Sequence, residues 1–393
     1  MSYEAFANKI KILLVINEEL NYNYTPAAKY LALNEGLTKK GFDSTLVGRP
    51  SKSKSINCKR NIIIIKPLIK GVVGKAFVKI QILFRVISSL IKDKKIKKVI
   101  IRNNDPELAI FLIPFIKILK RKVIYDFSGY LCKERIVEGR SLRASLIKPL
   151  EKLSLIFSDK IIILSRGLKD VLPKKLRQRT ILLPTGISSS LLVKENKDKI
   201  KKTVKKYDIN INKKVIGFMG NWEKWVSIDD IINCANYLKE YLFLIIGEGC
   251  KFKEYHKKNI HKKNIIFTGR IPHKEVLNLL KIMEIVIVPY KKGPPYANIK
   301  GSFSSSKVKE ALAFGKPLIV SDVIGKENFL REYENALFYR PNNAKDLAKK
   351  IRLLLKDKEL YKGISKNNLK LSKKFSWDIL LEKSGLLNYL RKS

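Results

Sequence analysis

The chain has 393 residues, 81 of them Lys or Arg against 35 Asp or Glu, a formal net charge of +46. A hydrophobic fraction of 45% excludes an intrinsically disordered chain, and the length calls for two domains or one large one. The charge demands an anionic partner: nucleic acid, an acidic membrane surface or a phosphorylated substrate.

No apolar run reaches the roughly 18–20 residues of a membrane span. The four cysteines, Cys58, Cys132, Cys234 and Cys250, form no CxxC pair and there are only three histidines, which argues against a zinc site. Reduced cysteines in a cytoplasmic protein follow. The N-terminus carries Glu4 and an apolar run only a strand long, which does not fit a signal peptide.

Lys11–Ile16 predicts an opening buried strand, followed by a loop over Asn17–Thr25 and a helix from Pro26 to Lys40 that Gly41 ends. Strands are predicted at Ser44–Gly48 and Asn61–Ile65, with the polar loop Arg49–Lys59 between them. Val72–Lys92 is helical, with Val73, Phe77, Ile80, Phe84, Ile87 and Ile91 at helical spacing among Lys75, Lys79, Arg85 and Lys92. Such a helix either packs on a sheet or presents a basic amphipathic face to anionic lipid. Strands at Val99–Arg102, Val123–Asp126, Ile161–Leu164 and Thr180–Pro184 alternate with helices at Pro106–Lys120 and Ser141–Phe157.

Lys194–Lys206 reads as a lysine-rich connector, after which the alternation restarts. Strands at Lys214–Met219, Leu242–Ile246, Asn264–Thr268 and Ile285–Pro289 enclose helices at Asp229–Lys239 and Lys274–Met283. Alternation of this kind means parallel βαβ units, and so an α/β fold of doubly wound sheets. We expect an N-terminal domain over 1–190, a second over 191–374, and a last helix over 375–393 returning to the first. Ligands bind outside the carboxyl ends of such strands.

Gly301–Asp322 is the most informative stretch. A small-residue loop, Gly301-Ser-Phe-Ser-Ser-Ser306, lets backbone N–H groups approach an anion. A helix then carries Lys307, Lys309 and Glu310 before the Gly315-Lys-Pro317 turn and the Leu318–Val320 strand. Cations in a first helical turn conflict with the helix dipole, and a bound phosphate removes the conflict. Glu310 lies one turn on from Lys307 and offers a carboxylate to a ribose diol; the alternative is a Lys–Glu pair on a solvated helix.

The second half resembles the retaining glycosyltransferases of the GT-B fold, family 4 (glycosyl transferases group 1). The resemblance rests on an ordered series from about Val215 to the C-terminus. Its members are Ile216–Gly220, Ile245–Gly249, Ile266–Pro272, Ile285–Tyr290, Ser306–Pro317, Glu334–Ala336 and Phe375–Trp377. It implies two Rossmann-like domains facing a cleft, an acceptor-binding N-terminal half, and a C-terminal helix crossing back. Matched residue by residue, Glu310 corresponds to the glutamate that holds the donor ribose. Gly301, Ser302, Ser305, Ser306 and Lys307 face the diphosphate and donor sugar. Gly269, Arg270 and Ile271 line the base, and Gly220 and Asn221 open the diphosphate segment, with Lys224 its cation. Relatives often carry a second glutamate where this chain has Ser302, and a histidine where it has Ser128.

Sugar transfer from a nucleotide diphosphate needs a stabilised leaving group, and Lys224, Lys307, Arg270 and loop N–H groups are the natural suppliers. Asp126, Ser128, Lys224 and Lys307 are the catalytic candidates, with Glu134 a further carboxylate near the expected cleft. With no Asp-x-Asp in a loop, no metal cofactor is expected; Asp229-Asp230 reads as a helix start. Trp222 and Trp225 either stack on a ligand or pack beneath the loop. His273 reads as a helix-cap residue, and His256 and His261 as surface residues.

The implied function is a metal-independent, retaining transfer from a nucleotide-sugar donor to a glycan or lipid-linked acceptor. Its location is cytoplasmic, peripheral on the inner face of the cell membrane. The rival readings are a basic nucleic-acid- or membrane-binding protein with a degenerate donor site, and a GT-B nucleotide-sugar epimerase.

Overall fold

The structure, a computed structural model, describes residues 9–21, 25–50, 61–66, 71–187, 197–249, 251–292 and 299–392. The chain divides into two units, Met1–Pro184 with Trp377–Ser393, and Thr185–Ser376. The expected loop over Arg49–Lys59 and the cysteines 58 and 250 lie wholly or largely outside the described residues.

The first unit runs β1 (Lys11–Glu19), α1 (Thr25–Lys39), β2 (Asp43–Arg49), β3 (Ile62–Ile64), α2 (Gly71–Lys92), β4 (Ile96–Arg102), α3 (Pro106–Ile118) and β5 (Lys122–Phe127). It continues through α4 (Leu131–Val137), α5 (Ser141–Phe157), β6 (Lys160–Ile163), α6 (Arg166–Asp170), α7 (Lys174–Arg177) and β7 (Thr180–Leu182). All its strand pairs are parallel, in the order β3-β2-β1-β4-β5-β6-β7. The β-branched runs of the inner strands β1, β4, β5 and β6 are buried on both faces, as a helix-covered parallel sheet requires, while Ile62–Ile64 of the edge strand β3 are half-buried.

Right-handed crossovers fix the layers: the order moves one way from β1 to β3 and the other way from β4 to β7. Helices of the two directions therefore cover opposite faces. α1 lies on one face, where Tyr30, Leu33 and Leu37 meet Leu14, Ile100 and Ile124. α2, α3 and α5 form the layer on the other. α3 starts cleanly: Pro106 occupies its first turn, and the Asp105 side chain accepts the Leu108 N–H at 3.2 Å. α2 buries Val78, Ile82, Val86 and Leu90, so Ile80, Phe84 and Ile91 of the stripe picked out by spacing turn outward.

The second unit runs α8 (Lys197–Lys206), β8 (Val215–Met219), α9 (Ile228–Tyr237), β9 (Leu242–Ile246), α10 (Phe252–Asn259), β10 (Ile265–Gly269) and α11 (His273–Ile282). It continues through β11 (Met283–Val288), α12 (Ser306–Ala313), β12 (Leu318–Ser321), β13 (Ala336–Tyr339), α13 (Ala344–Lys356) and α14 (Lys358–Ser372). Its parallel sheet has the order β10-β9-β8-β11-β12-β13, so the direction of winding reverses between β8 and β11. The supposed lysine-rich connector is in part helix α8, anchored where Lys206 Nζ (2.8 Å) and Tyr207 Oη (2.5 Å) meet the Glu275 carboxylate. α4 and α10 are further helices that periodicity did not single out.

The chain ends in α15 (Trp377–Lys383) and α16 (Leu386–Arg391). Trp377, Leu381, Leu386, Leu387 and Leu390 are buried in the core of the first unit, on the α1 face. Just before this return, Phe375 O accepts the Ile187 N–H at 2.7 Å, tying the second unit's two ends together.

Candidate functional site

Four segments meet at the carboxyl ends of the central strands of the second sheet, where the winding reverses. Gly220 follows β8, Tyr290 follows β11, Glu327 follows β12, and α12 leads from β11 back to β12. This is the position at which open α/β sheets bind ligands.

α12 projects two charged side chains into this region in different directions. A helical side chain leans toward the helix N-terminus, and Lys307 reaches the end of β8, its Nζ 4.7 Å from the centroid of the Phe218 ring. Gly220 is held at φ 131°, a conformation that favours glycine, and a Cβ there would lie 3.3 Å from that ammonium. Burial pushes the Lys307 pKa down to about 8, against the pull of Glu327 and Glu223. The residue is a proton-bearing cation near neutrality, poised to become a stronger one beside an anion.

Glu310 turns the other way. Its partner is not Lys307 but His273, at 3.2 Å between Nε2 and Oε1. His273 lies in the cap region of α11, as expected, but its ring also has a partner outside that helix. Pro272 stands at the N-cap of α11, and the His273 ring bridges from that helix start to α12. Burial disfavours the imidazolium, but the hydrogen bond and charge of Glu310 outweigh it and leave the pKa above the usual value.

The loop before α12 also departs from expectation. Three of its N–H groups are committed internally: Gly301 to Ile324 O (3.0 Å), Ser302 to Ile299 O (3.1 Å) and Phe303 to Gly325 O (2.9 Å). Gly301 sits at φ 59°, and a Cβ would come within 2.0 Å of the Asn328 side chain, so only glycine fits this seam. Ser305, at the N-cap of α12, donates its N–H to Glu327 Oε1 at 3.0 Å. The loop is thus a strap fastened to residues 324–327, with Phe303 stacked on Tyr290 at 4.2 Å.

Glu327 is the residue that sequence reasoning missed. It is 1% exposed and its Oε1 also accepts the Tyr290 hydroxyl at 3.0 Å. Burial pushes its carboxyl above the ordinary range. Its charge acts on both Lys307 and Lys309, so the cationic start of α12 has an internal counter-charge before any phosphate arrives. Lys309 points inward, 1% exposed, and donates to Ser304 Oγ at 2.7 Å. Nothing in the Gly325-Lys-Glu327 stretch marks this glutamate; its role exists only because the strap lies against it.

Other candidates fall outside this cluster. Lys224 and Asn221 are exposed on the turn after β8. Arg270 is exposed and pairs with Glu248 at 3.2 Å, with Ile271 half-buried beside it. Trp222 packs beneath the loop, its ring among Phe252, Tyr255 and Phe267. Asp229 and Asp230 begin α9, Asp230 accepting from Tyr339 Oη at 2.9 Å and Asp229 from Tyr255 Oη at 2.6 Å.

In the first unit, Asp126 is 1% exposed and both its oxygens are taken by buried Lys29, at 2.8 and 2.7 Å. Such a carboxylate is committed to its partner, because an unpaired charge there would be far costlier; this argues against it as nucleophile or base. The Ser128 N–H donates to Asn103 Oδ1 at 3.2 Å, while Glu134 is half-buried on α4.

Residues 199–371 match the family described as glycosyl transferases group 1. An uncharacterized glycosyltransferase of Methanocaldococcus jannaschii is 28% identical over 225 residues, 56% of each chain. The N,N'-diacetylbacillosaminyl-diphospho-undecaprenol alpha-1,3-N-acetylgalactosaminyltransferase of Campylobacter jejuni is 29% identical over 170 residues, 41% of this chain and 40% of that protein. The chain thus matches these curated relatives over about half their length or less. Anabaena HepE, solved with UDP and glucose, aligns with 98% of this chain and 100% of its own at a TM-score of 0.71 and 13% identity, a likeness of fold. The two Rossmann-like parallel-sheet units are those of the GT-B fold, and residues 199–371 of the second unit match the glycosyl transferases group 1 model.

Proposed function

We propose that the protein is a glycosyltransferase that takes a sugar from a nucleotide-diphosphate donor bound at the second unit. The observation that carries this reading is the divergence of two charges from one helix at the switch point. Glu310, oriented by His273, offers a carboxylate to the donor ribose. Lys307, beside Gly220, offers a cation to the diphosphate as it departs. Glu327 holds the helix start on which both depend. The family of residues 199–371 supports the same assignment.

Our reading extends to transfer with retention and to a cation of the chain rather than a metal at the leaving group; a glycan or lipid-linked sugar as acceptor is supported by the undecaprenol-linked sugar that the Campylobacter jejuni relative is named for. A chain acting on a lipid-linked acceptor works at a membrane surface, peripherally on its inner face.

The test is a screen of UDP-, GDP- and ADP-sugars, read by thermal shift and by release of the nucleotide in the presence of EDTA. A donor at a hundred times its Kd stabilises the site by ~2.7 kcal/mol. We expect one donor class to raise Tm and Glu310→Ala to abolish the rise. No shift with any donor, together with strong salt-sensitive DNA binding, would favour the nucleic-acid reading instead. Conversion of the donor to its epimer without nucleotide release would identify an epimerase.

A further inference from the structure

We infer that the outer face of helices α3 and α5 is a docking surface for an anionic lipid bilayer. The spacing of 100° per residue places Phe111, Phe115 and Ile118 on one stripe of α3, and Leu142, Leu146 and Phe157 on one stripe of α5. These stripes are not the core stripes: α3 buries Leu108, Leu112 and Ile116, and α5 buries Ala144, Ile147 and Leu155. Each helix therefore has a second apolar face, and that face is open. Leu142 is 87% exposed, Leu146 72% and Ile118 74%. Exposure of this degree on one or two residues is ordinary; a continuous band on two packed neighbouring helices is not. Among the described residues of the second unit the exposed large aliphatic side chains, Ile211, Ile260, Ile324, Leu353 and Leu369, lie on separate segments.

Charge says what covers the band. On α5 the stripe is flanked by exposed Arg143 on one side and Lys152 on the other, with Lys148 beyond. The one acid within α5, Glu151, is turned inward, accepting the N–H groups of Leu131 and Cys132 at 2.7 and 3.0 Å. On α3, Lys117 is held by Asp159 and Lys120 follows the helix, exposed. Apolar side chains bordered by cations, with Glu151 withdrawn and Glu107 of α3 neutralised by Lys79 at 3.3 Å, match the boundary of an anionic bilayer, where the apolar stripe enters the acyl region and the cations meet phosphate groups. α2 continues the same layer with Ile80 and Phe84, so the reading made from the spacing of α2 extends to its neighbours. The inference deepens the membrane-surface part of the proposed function but needs no donor.

The experiment is co-sedimentation of the full chain with phosphatidylcholine vesicles, with and without roughly a third phosphatidylglycerol, at physiological salt. We expect sedimentation with the anionic vesicles alone. Leu142→Glu with Leu146→Glu lowers the bound fraction by about tenfold or more, because carboxylates replace both the apolar and the electrostatic attraction. Leu353→Glu, on the second unit, leaves it unchanged. The stripe faces outward, so the double variant keeps its Tm, and the donor-induced shift measured on the same preparations reports the transferase reading separately. Vesicle binding by the double variant equal to the parent's, or none by the parent, overturns the inference. So does a parent that stays off vesicles and is a dimer which the double variant makes monomeric, since the face then covers a second copy.

Discussion

Lys307 and Glu310 are both visible in the sequence as charged residues on a short helix, and spacing suggests that they face each other. They do not. Glu310 belongs to His273 and Lys307 to the end of β8, and this separation suits a donor with a ribose at one end and a diphosphate at the other. Its consequence is a pH dependence of known sign. The folded pKa of Lys307 is lowered to about 8, and an anion beside the ammonium raises it again. On the proposed donor site, affinity for a nucleoside diphosphate should therefore be full below about pH 8 and fall above it, by up to about tenfold per pH unit. Calorimetric titration from pH ~6.5 to ~9.5 checks this. Lys307→Met should weaken binding about 10- to 100-fold at neutral pH, the worth of a charged hydrogen bond, and should flatten the profile. A Lys307→Met profile that still bends near 8 would assign the titration to another group.

At the scale of elements, the loop into α12 is a strap and not a cradle. The sequence offers glycine and serines, which suit either. What decides is the buried carboxylate of Glu327, which takes the Ser305 N–H at the helix start and the Tyr290 hydroxyl. Glu327→Ala strands both donors and uncovers two buried cations, at a cost of roughly 1–3 kcal/mol for each stranded group, read as several degrees of Tm. Glu327→Gln keeps an acceptor for both and recovers most of the loss in thermal unfolding. Equal stability of the Ala variant and the parent would remove Glu327 from this role. The same contrast applies to Asp126: its position at the end of β5 is legible, but its capture by Lys29 across 97 residues of sequence is not.

At the scale of the whole molecule, the chain leaves its first unit, builds the second and returns. The return is bonded into the first core: Leu381 is fully buried beside α1 residues. Leu381→Ala should destabilise the first unit by about 2–5 kcal/mol. Hydrogen exchange would show faster opening of β1, β4 and α1, with the second unit's strands unaffected; equal loss of protection in both units would show that they unfold together. The alternation of strands and helices, the two α/β halves and the ordered motifs from Val215 onward were written locally. Each needs only a few residues' propensity and burial period, and hydrophobic burial then enforces the pattern. The partners of Glu310, Lys307, Glu327 and Asp126 were not, because a charge in a low-dielectric interior is settled by whichever group the fold brings within a few ångströms. Nor was the outward band of α3 and α5: two apolar stripes on one helix look alike in sequence, and only packing against the sheet determines which one is left open.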